Sequence, residues 1–264
     1  MRELERDLPS DADTSLSVRE DMPSLAIVGA GRLGGALAKA AREEGLEVAL
    51  AGRENALDAC REAEAALICV PDGAIREVAA HIADAIPPLR LVGHSSGATS
   101  LDALAPAADR GATVYSLHPL QTVPGPDAEL VGAACAVSAS APDGERFAEL
   151  LADRLGMRSF TVPEESRAAY HAAASLASNF LVALEESASD LLERIGVADA
   201  RELLAPLVLT TAANWADRGR EALTGPIARG DEATVARHTE ALAEHAPELL
   251  PLYEALAERT RELR

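Results

Sequence analysis

Glycines at a fixed spacing form the most informative feature of the sequence. Gly29, Gly31 and Gly34 follow the apolar run Leu25–Val28 and open a segment with helical periodicity from about residue 33 to residue 44. In a turn between a strand and a helix, this spacing permits a tight turn, a close approach of the backbone to a diphosphate, and close packing of the helix on the strand. The pattern therefore predicts a site for the diphosphate of a dinucleotide, and a glycine-rich turn without a ligand is the alternative.

The residues at the start of this helix supply the groups that would hold the anion. The first amides of a helix have no acceptor within it, so those around Arg32 and Leu33 are open to a phosphate, and the helix dipole favours the negative charge. The Arg32 side chain either assists on the phosphates or points to water.

The end of the following strand bears on which dinucleotide is bound. NAD sites usually carry an Asp or Glu there, which accepts a hydrogen bond from the ribose 2′-hydroxyl. Here Gly52 leaves space and Arg53 supplies a planar cation suited to a 2′-phosphate. We therefore expect NADP(H), while Glu54 as a ribose acceptor and Arg53 as a solvated surface residue remain alternatives.

Polar residues also follow later strand-like runs. Pro71 follows one run, Ser95 and Ser96 follow another, and His118 follows a third. Because ligands of open α/β sheets bind outside the carboxyl ends of the strands, we expect these residues at one crevice, the first three beside the cofactor. His118 can donate a proton or orient a carbonyl group near neutral pH. The structural alternatives are a strand end at Pro71, turns at the two serines, and a loop held by His118.

A polar stripe is predicted on a helix near residue 170. His171, Ser175 and Ser178 recur at helical spacing, and Asn179 lies at the edge of the same face. Polar groups on an otherwise apolar helix need partners when buried, so this face should meet a polar network or a wet cleft. We predict His171 as a second candidate proton donor and Asn179 as a substrate-orienting residue, against the alternative of a hydrogen-bonded helix interface.

An arginine between small residues is the last candidate. Arg229 lies in a turn between two helices, where its guanidinium can clamp a carboxylate of the substrate or the cofactor. Asp231 is placed to cap the helix that follows. An ion pair between Arg229 and Asp231 that merely fixes the loop is the alternative.

The elements that must position these residues follow a βαβ pattern. Near-continuous apolar strands alternating with helices predict a doubly wound parallel sheet of the Rossmann type, covered by helices on both faces. Helical segments are predicted to begin near Gly73, Leu101 and Gly144. The predicted strands are 25–28, 48–51, 66–70, 89–92, 113–116 and 134–137.

After Pro163 the strand pattern stops. The sequence there predicts helices at about 164–195, 198–218, 231–245 and 247–262. We therefore expect an α/β domain at 23–163 and an all-helical domain at 164–264. Residues 1–22 carry many charges and few large apolar side chains, which predicts a disordered tail.

Composition limits the partners. With 43 acidic and 24 basic residues the formal net charge is −19, which disfavours nucleic acid and anionic membrane surfaces. A nucleotide held by local amides and one or two cations is still compatible with this charge. The three cysteines lack metal-ligand spacing, no metal site is expected, and the absence of a recognisable leader favours a cytoplasmic protein with reduced thiols.

The glycine turn and three later segments together resemble a known bacterial family. The segments are HPLQT at 118–122, YHAAASLASNF at 170–180 and TGPIARGD at 224–231. The family combines a Rossmann-like domain with a C-terminal domain of unknown function that has a fold like the helical domain of 6-phosphogluconate dehydrogenase. Its wider relatives include pyrroline-5-carboxylate reductase, ketopantoate reductase and deazaflavin-dependent NADP oxidoreductases. The resemblance implies nicotinamide binding and a homodimer formed through the helical domain.

One departure from these relatives affects the chemistry. Hydroxyacid dehydrogenases and ketopantoate reductases use a lysine of the helical domain, whereas Lys39, in the first predicted helix, is the sole lysine here. The proton of a reduction must then come from His118, His171, Tyr170 or water. We therefore expect an NADP-dependent reductase of a small keto acid or imine, ketopantoate included, with Asn179 and Arg229 orienting the substrate. A non-catalytic NADP-responsive binding protein and a deazaflavin-linked oxidoreductase are the alternatives.

Overall fold

A computed structural model describes residues 22–85 and 87–263 of the chain, which divides into two compact units. The first unit ends at Tyr170 and the second begins at His171. The tail predicted for residues 1–22 lies, apart from Met22, outside the described residues.

A seven-stranded sheet forms the centre of the first unit, in the order β2-β1-β3-β4-β5-β6-β7. Every neighbouring pair is parallel except β5 and β6, which run antiparallel. The strands are β1 (Leu25–Val28), β2 (Val48–Ala51), β3 (Ala65–Ile68), β4 (Leu91–His94), β5 (Thr113–Leu120), β6 (Ala134–Ala139) and β7 (Arg158–Thr161). The Rossmann-type sheet predicted from the sequence is therefore confirmed.

Alternation of side chains along the strands covers both faces of the sheet. Leu25 and Ile27 of β1 belong to one buried cluster, whereas Ala26 and Val28 belong to the other. Successive side chains of a strand point to opposite faces, so a strand that is apolar throughout needs helices on both sides. Those helices are α1 (Arg32–Glu43), α2 (Ala56–Arg61), α3 (Ile75–Ile82), α4 (Ala105–Ala108) and α5 (Pro142–Arg154).

The sheet departs from the prediction at its far edge. A wholly parallel sheet was expected, but β6 returns antiparallel to β5. The connection from 121 to 133 contains no helix in the structure, and a parallel connection requires a crossover of a dozen or more residues, usually helical. β7 was missed because its residues are mostly polar and partly exposed, as is common at an edge strand.

The unit boundary also lies later than the predicted one. Residues Glu164–Ser166 form a 3₁₀ turn and α6 (Arg167–Ala177) follows, so the boundary after Tyr170 falls inside a helix rather than at Pro163. The reason is that Glu164, Arg167 and Tyr170 all bond to residues of the sheet or its loops.

The remaining helices, together with residues 171–177 of α6, make up the second unit, which is helical as the sequence predicts. The single helix expected across 164–195 is broken at Ser178, whose backbone leaves the helical region. Within the described part of the chain, no helix combines the length and apolar character needed to cross a membrane. These helices are α7 (Asn179–Arg194), α8 (Ala200–Arg218), α9 (Gly225–Arg229), α10 (Glu232–His245) and α11 (Leu250–Glu262).

Candidate functional site

The glycine turn has the backbone geometry that its spacing predicts. Gly29 has φ +120°, and a β-carbon on it would overlap the carbonyl oxygen of Cys69. A β-carbon on Gly34 would overlap the carbonyl oxygen of Gly29, so the start of α1 lies directly against the end of β1. Around Gly31, by contrast, no atom of the described residues, apart from its two chain neighbours, lies within 4 Å of the place of a β-carbon. This space is open above the turn.

The amino end of α1 lacks the groups that usually cap a helix. Gly31 is the N-cap residue and has no side chain to accept a hydrogen bond, and the first turn of α1 contains no acidic residue. The amides there therefore face outward with the positive end of the helix dipole. The side chain of Arg32 is exposed at the same end. Such an end favours an anion.

A cleft of about 490 Å³ adjoins this turn at the carboxyl ends of the first strands. Pro71, Arg53 and Glu54 are among its lining residues, as are Glu77 and His81 of α3. The side-chain oxygen of Asn55 accepts a hydrogen bond from the Gly52 amide (2.9 Å), which holds the loop that carries Arg53. Both Arg53 and Glu54 are exposed in the cleft, so a cation and a carboxylate are available to a ribose or its phosphate.

The serines after β4 have structural partners of their own. The Ser95 amide donates to the Ile68 carbonyl (3.0 Å), which prolongs the pairing of β4 with β3. The Ser96 hydroxyl oxygen accepts from the amides of Ala98 (3.3 Å) and Thr99 (3.0 Å). Both serines are buried. Their hydrogen bonds shape the turn after β4, which is the structural alternative that the sequence left open.

His94, the last residue of β4, is fully buried. Its Nδ1 accepts a hydrogen bond from the Ser96 amide at 3.2 Å. Burial, reinforced by the nearby Arg167 cation, lowers the pKa of this imidazole to about 4. His94 is therefore neutral at physiological pH, and its Nδ1 holds the turn after β4.

His118 contacts a tyrosine that is distant in sequence. Its Nδ1 lies 2.7 Å from the hydroxyl oxygen of Tyr170, and the two rings meet edge to face with centroids 5.5 Å apart. The predicted strand ended at residue 116, but β5 extends to Leu120 and contains His118. It runs four residues past Ser116, the last residue that pairs with β4. Burial raises the pKa of Tyr170 to about 12, with Cys135 acting in the same direction and Arg167 opposing.

The first residue of α6, Arg167, has a buried side chain that contacts β5, β6 and the turn after β4. Arg167 is 2% exposed, and its guanidinium donates to the hydroxyl oxygens of Ser116 (2.8 Å) and Ser138 (3.1 Å) and to the carbonyl of Ser96 (2.5 Å). A carboxylate oxygen of Glu164 lies 3.8 Å from a guanidinium nitrogen of Arg167 and supplies the opposite charge. The sequence interpretation missed Arg167 and Glu164, although a charged residue one helical turn before Tyr170 was a usable signal.

Glu164 connects this cluster to a neighbouring loop. One carboxylate oxygen accepts from the Leu101 amide (2.6 Å), and the other accepts from the Ser138 hydroxyl (3.2 Å). Charge-assisted hydrogen bonds of this kind are short and comparatively strong. The arginine cluster, defined as Arg167, Glu164, Ser116 and Ser138, thus ties residues from three parts of the first unit together.

The remaining candidate residues belong to the second unit. His171 is half-buried on α6, Asn179 is exposed at the start of α7, and Arg229 is exposed at the end of α9. Asp231 caps α10 as predicted, because its carboxylate accepts from the Thr234 amide (3.1 Å) and hydroxyl (2.7 Å). These bonds, more than the distant charge of Arg229, hold the pKa of Asp231 below its ordinary value.

Family models match both parts of the chain. Residues 51–119 match a Rossmann-like domain, and residues 133–260 match a domain of unknown function called DUF2520. The chain combines a Rossmann-like domain with a DUF2520 domain. The DUF2520 match begins at β6, so it includes Arg167 and Tyr170 of the first unit as well as the second unit. No curated protein matches the chain by sequence.

Solved structures share the fold over nearly the whole chain. A Bacteroides fragilis protein described as a candidate NADP oxidoreductase has a TM-score of 0.74 and 22% identity, covering 92% of this chain and 99% of its own. A Thermotoga maritima protein has a TM-score of 0.72 and 23% identity, covering 90% and 97%. The NADP-bound pyrroline carboxylate reductase of Plasmodium falciparum has a TM-score of 0.62 and 13% identity, covering 92% and 98%. These likenesses establish the fold of the Rossmann-like and DUF2520 domains.

Proposed function

We propose that the chain is an NADP(H)-dependent oxidoreductase that reduces the carbonyl or imine carbon of a small molecule, such as a keto acid. The observation that carries the proposal is the glycine turn: an uncapped helix end lies beside open space at Gly31, while Gly29 and Gly34 are required by packing. Packing explains Gly29 and Gly34, whereas the space at Gly31 and the uncapped helix end fit a diphosphate. The NADP bound to the Plasmodium falciparum reductase supports the choice of cofactor.

The residues that would hold the cofactor are distributed along the carboxyl edge of the sheet. The amides at Gly31, Arg32 and Leu33 would hold the diphosphate at the start of α1. The adenosine ribose would enter the adjoining cleft, where Arg53 is placed for a 2′-phosphate and Pro71 forms part of the wall. Arg53 is the feature that favours NADP(H) over NAD(H).

The chain's own chemical contribution is a proton. The bound cofactor supplies a hydride, so the reaction also needs a donor for the oxygen or nitrogen of the substrate. Tyr170 is protonated across neutral pH, and its hydroxyl can donate to Nδ1 of His118. A neutral imidazole that accepts at Nδ1 carries its proton on Nε2. As that proton passes to the substrate, the proton of Tyr170 would move to Nδ1, so the pair would relay one proton and the tyrosinate would regain it from solvent. His171, Asn179 and Arg229 of the DUF2520 domain remain predicted contributors.

Cofactor titration tests the first half of the proposal. Purified protein is titrated with NADPH and with NADH, and the fluorescence of the reduced nicotinamide gives both dissociation constants. We expect NADPH to bind more tightly, and failure to bind either would refute the proposal.

Turnover tests the second half. Oxidation of NADPH is followed at 340 nm with a panel of small keto acids, cyclic imines and a deazaflavin. His118→Gln should retain NADPH affinity and lose turnover. Binding without turnover on any of these acceptors would favour the redox-responsive binding protein, and hydride transfer confined to the deazaflavin would favour the deazaflavin-linked enzyme.

We also propose that the DUF2520 domain pairs with a second copy of the chain. Ala200 is the sole buried residue of α8, whereas Leu203, Leu207, Leu209 and Trp215 are more than half exposed. An apolar groove of about 350 Å³ lies between α7 and α8. Contiguous exposed apolar side chains mark protein interfaces. In a two-fold dimer, this surface of one copy would be covered by the same surface of the other.

Sedimentation equilibrium tests this pairing. Leu207→Glu should shift the protein from dimer to monomer and should expose Trp215, the single tryptophan, to acrylamide quenching. Gln121→Glu, which adds the same charge at an exposed position of the other unit, is the control. A monomeric native protein would contradict the pairing.

A further inference from the structure

We propose that Arg167 is the positioning residue that sets the register between α6 and β5, and thereby holds Tyr170 against His118. This inference rests on the proposed function in one respect, namely that the His118–Tyr170 pair supplies the proton.

The geometry consists of two parallel links between the helix and the strand. In the first link, Arg167 of α6 donates to the Ser116 hydroxyl of β5 at 2.8 Å. In the second link, Tyr170 of α6 meets His118 of β5 at 2.7 Å. The two links therefore join the same two elements.

The spacing of the two links follows from the two backbones. Arg167 and Tyr170 are three residues apart and share a helix face, with a rise of about 4.5 Å between them. Ser116 and His118 are two residues apart and share a strand face, with a rise of about 6.6 Å. Because both links join the same two elements, the first link limits how far the hydroxyl of Tyr170 can move from the imidazole of His118.

A guanidinium is required at the first link. Arg167 reaches Ser116, Ser138 and the Ser96 carbonyl at once, and these belong to β5, β6 and the turn after β4. The planar fork of arginine serves acceptors in several fixed directions, whereas a lysine ammonium on a flexible stem does not. A lysine at position 167 keeps the positive charge beside Glu164 but cannot direct hydrogen bonds to all three acceptors. Arg167→Lys is therefore the informative substitution.

The readout is the hydroxyl proton of Tyr170, which requires no substrate. In protein labelled with ¹³C at the tyrosine Cζ atoms, a mixture of H₂O and D₂O gives separate signals for slowly exchanging hydroxyls. Tyr170→Phe assigns the signal. Tyr115, whose buried hydroxyl donates to the Ala66 carbonyl at 3.0 Å, is an internal control in the same spectrum.

We expect the Tyr170 hydroxyl to exchange slowly in the native protein and at least about tenfold faster in Arg167→Lys, because the hydrogen bond to His118 opens more often. The Tyr115 signal should not change. Ser116→Ala, a milder change that leaves the charges in place, should act in the same direction. With an active substrate, kcat should fall about tenfold or more while the NADPH dissociation constant stays within about twofold.

The opposite result would show that Arg167 merely stabilises the fold. In that case the melting temperature of Arg167→Lys falls, but the exchange of the Tyr170 hydroxyl and kcat do not change. Failure of the proposed function is a separate result, since a native protein that binds no NADPH can still show the predicted change at Tyr170.

Discussion

The carbonyl oxygen of Gly29 occupies the place that a β-carbon on Gly34 would need. Glycine at position 34 is therefore required by the contact of α1 with the end of β1, whether or not a ligand binds. A β-carbon on Gly31 would have no such contact within 4 Å with the part of the chain that the structure describes, its two chain neighbours aside. Packing therefore requires glycine at position 34 and does not require it at position 31.

This difference predicts opposite phenotypes for two substitutions. Gly31→Val should change the free energy of unfolding by less than about 0.5 kcal/mol, because the backbone there is extended and the space is open. It should weaken NADPH binding tenfold or more, about 1.4 kcal/mol, by covering the amides. Gly34→Ala should destabilise the fold by about 2 kcal/mol through overpacking. Urea unfolding and cofactor titration measure both effects, and unchanged NADPH affinity in Gly31→Val would count against the diphosphate site.

Arg53 and Glu54 line the same cleft, so exchanging each for glutamine identifies the ribose contact. Arg53→Gln should raise the dissociation constant of NADPH about tenfold and leave that of NADH nearly unchanged, because a charge-assisted contact to the 2′-phosphate is lost. Glu54→Gln is the matched control. If it weakens NADH and Arg53→Gln has no effect on NADPH, Glu54 is the ribose acceptor and the cofactor preference is NAD(H).

Tyr115 connects the middle strands through its hydroxyl, which donates to the Ala66 carbonyl at 3.0 Å. Tyr115→Phe should lower the free energy of unfolding by about 1–2 kcal/mol, since the carbonyl loses its buried donor. Tyr253→Phe removes a hydroxyl that bonds to His238 at 2.9 Å near the surface and should cost much less. Equal losses in the two variants would contradict this account of the sheet.

Burial of His94 predicts how stability depends on pH. Its pKa lies near 4 in the folded protein and near 6.5 for an ordinary histidine, so the unfolded chain binds the extra proton between these values. Stability should therefore fall as the pH drops from about 6.5 towards 4, by on the order of 3 kcal/mol from this group. His94→Gln should remove that part of the pH dependence, whereas His81→Gln at an exposed position should not. Denaturant unfolding at several pH values measures the slope.

Local patterns explain which parts of the fold were predictable. The glycine turn is encoded within a few residues, and the apolar strands carry their own periodicity, so both were found from the sequence. The direction of β6 was not, because antiparallel and parallel strands of this length look alike and the difference lies in the connection at 121–133. The polar edge strand β7 gave no apolar signal.

The candidate site shows the same limit at the level of side chains. His118 was singled out by its position near a strand end, and the structure gives it a partner 52 positions away in Tyr170. The guanidinium of Arg167 reaches residues 51 and 71 positions away, which no local spacing reveals. Hydrogen bonds between distant segments depend on the topology, so they become visible when the sheet is assembled.

Because the division between the two units falls after Tyr170, the natural place to recombine such proteins is not where the strands end. A chimera joined at Pro163 would combine the sheet of one parent with the residues at positions 167 and 170 of the other. Ser116 and Ser138 would then have to bond to a side chain from the other parent. Domain exchange should therefore keep residues 164–170 with the Rossmann-like part.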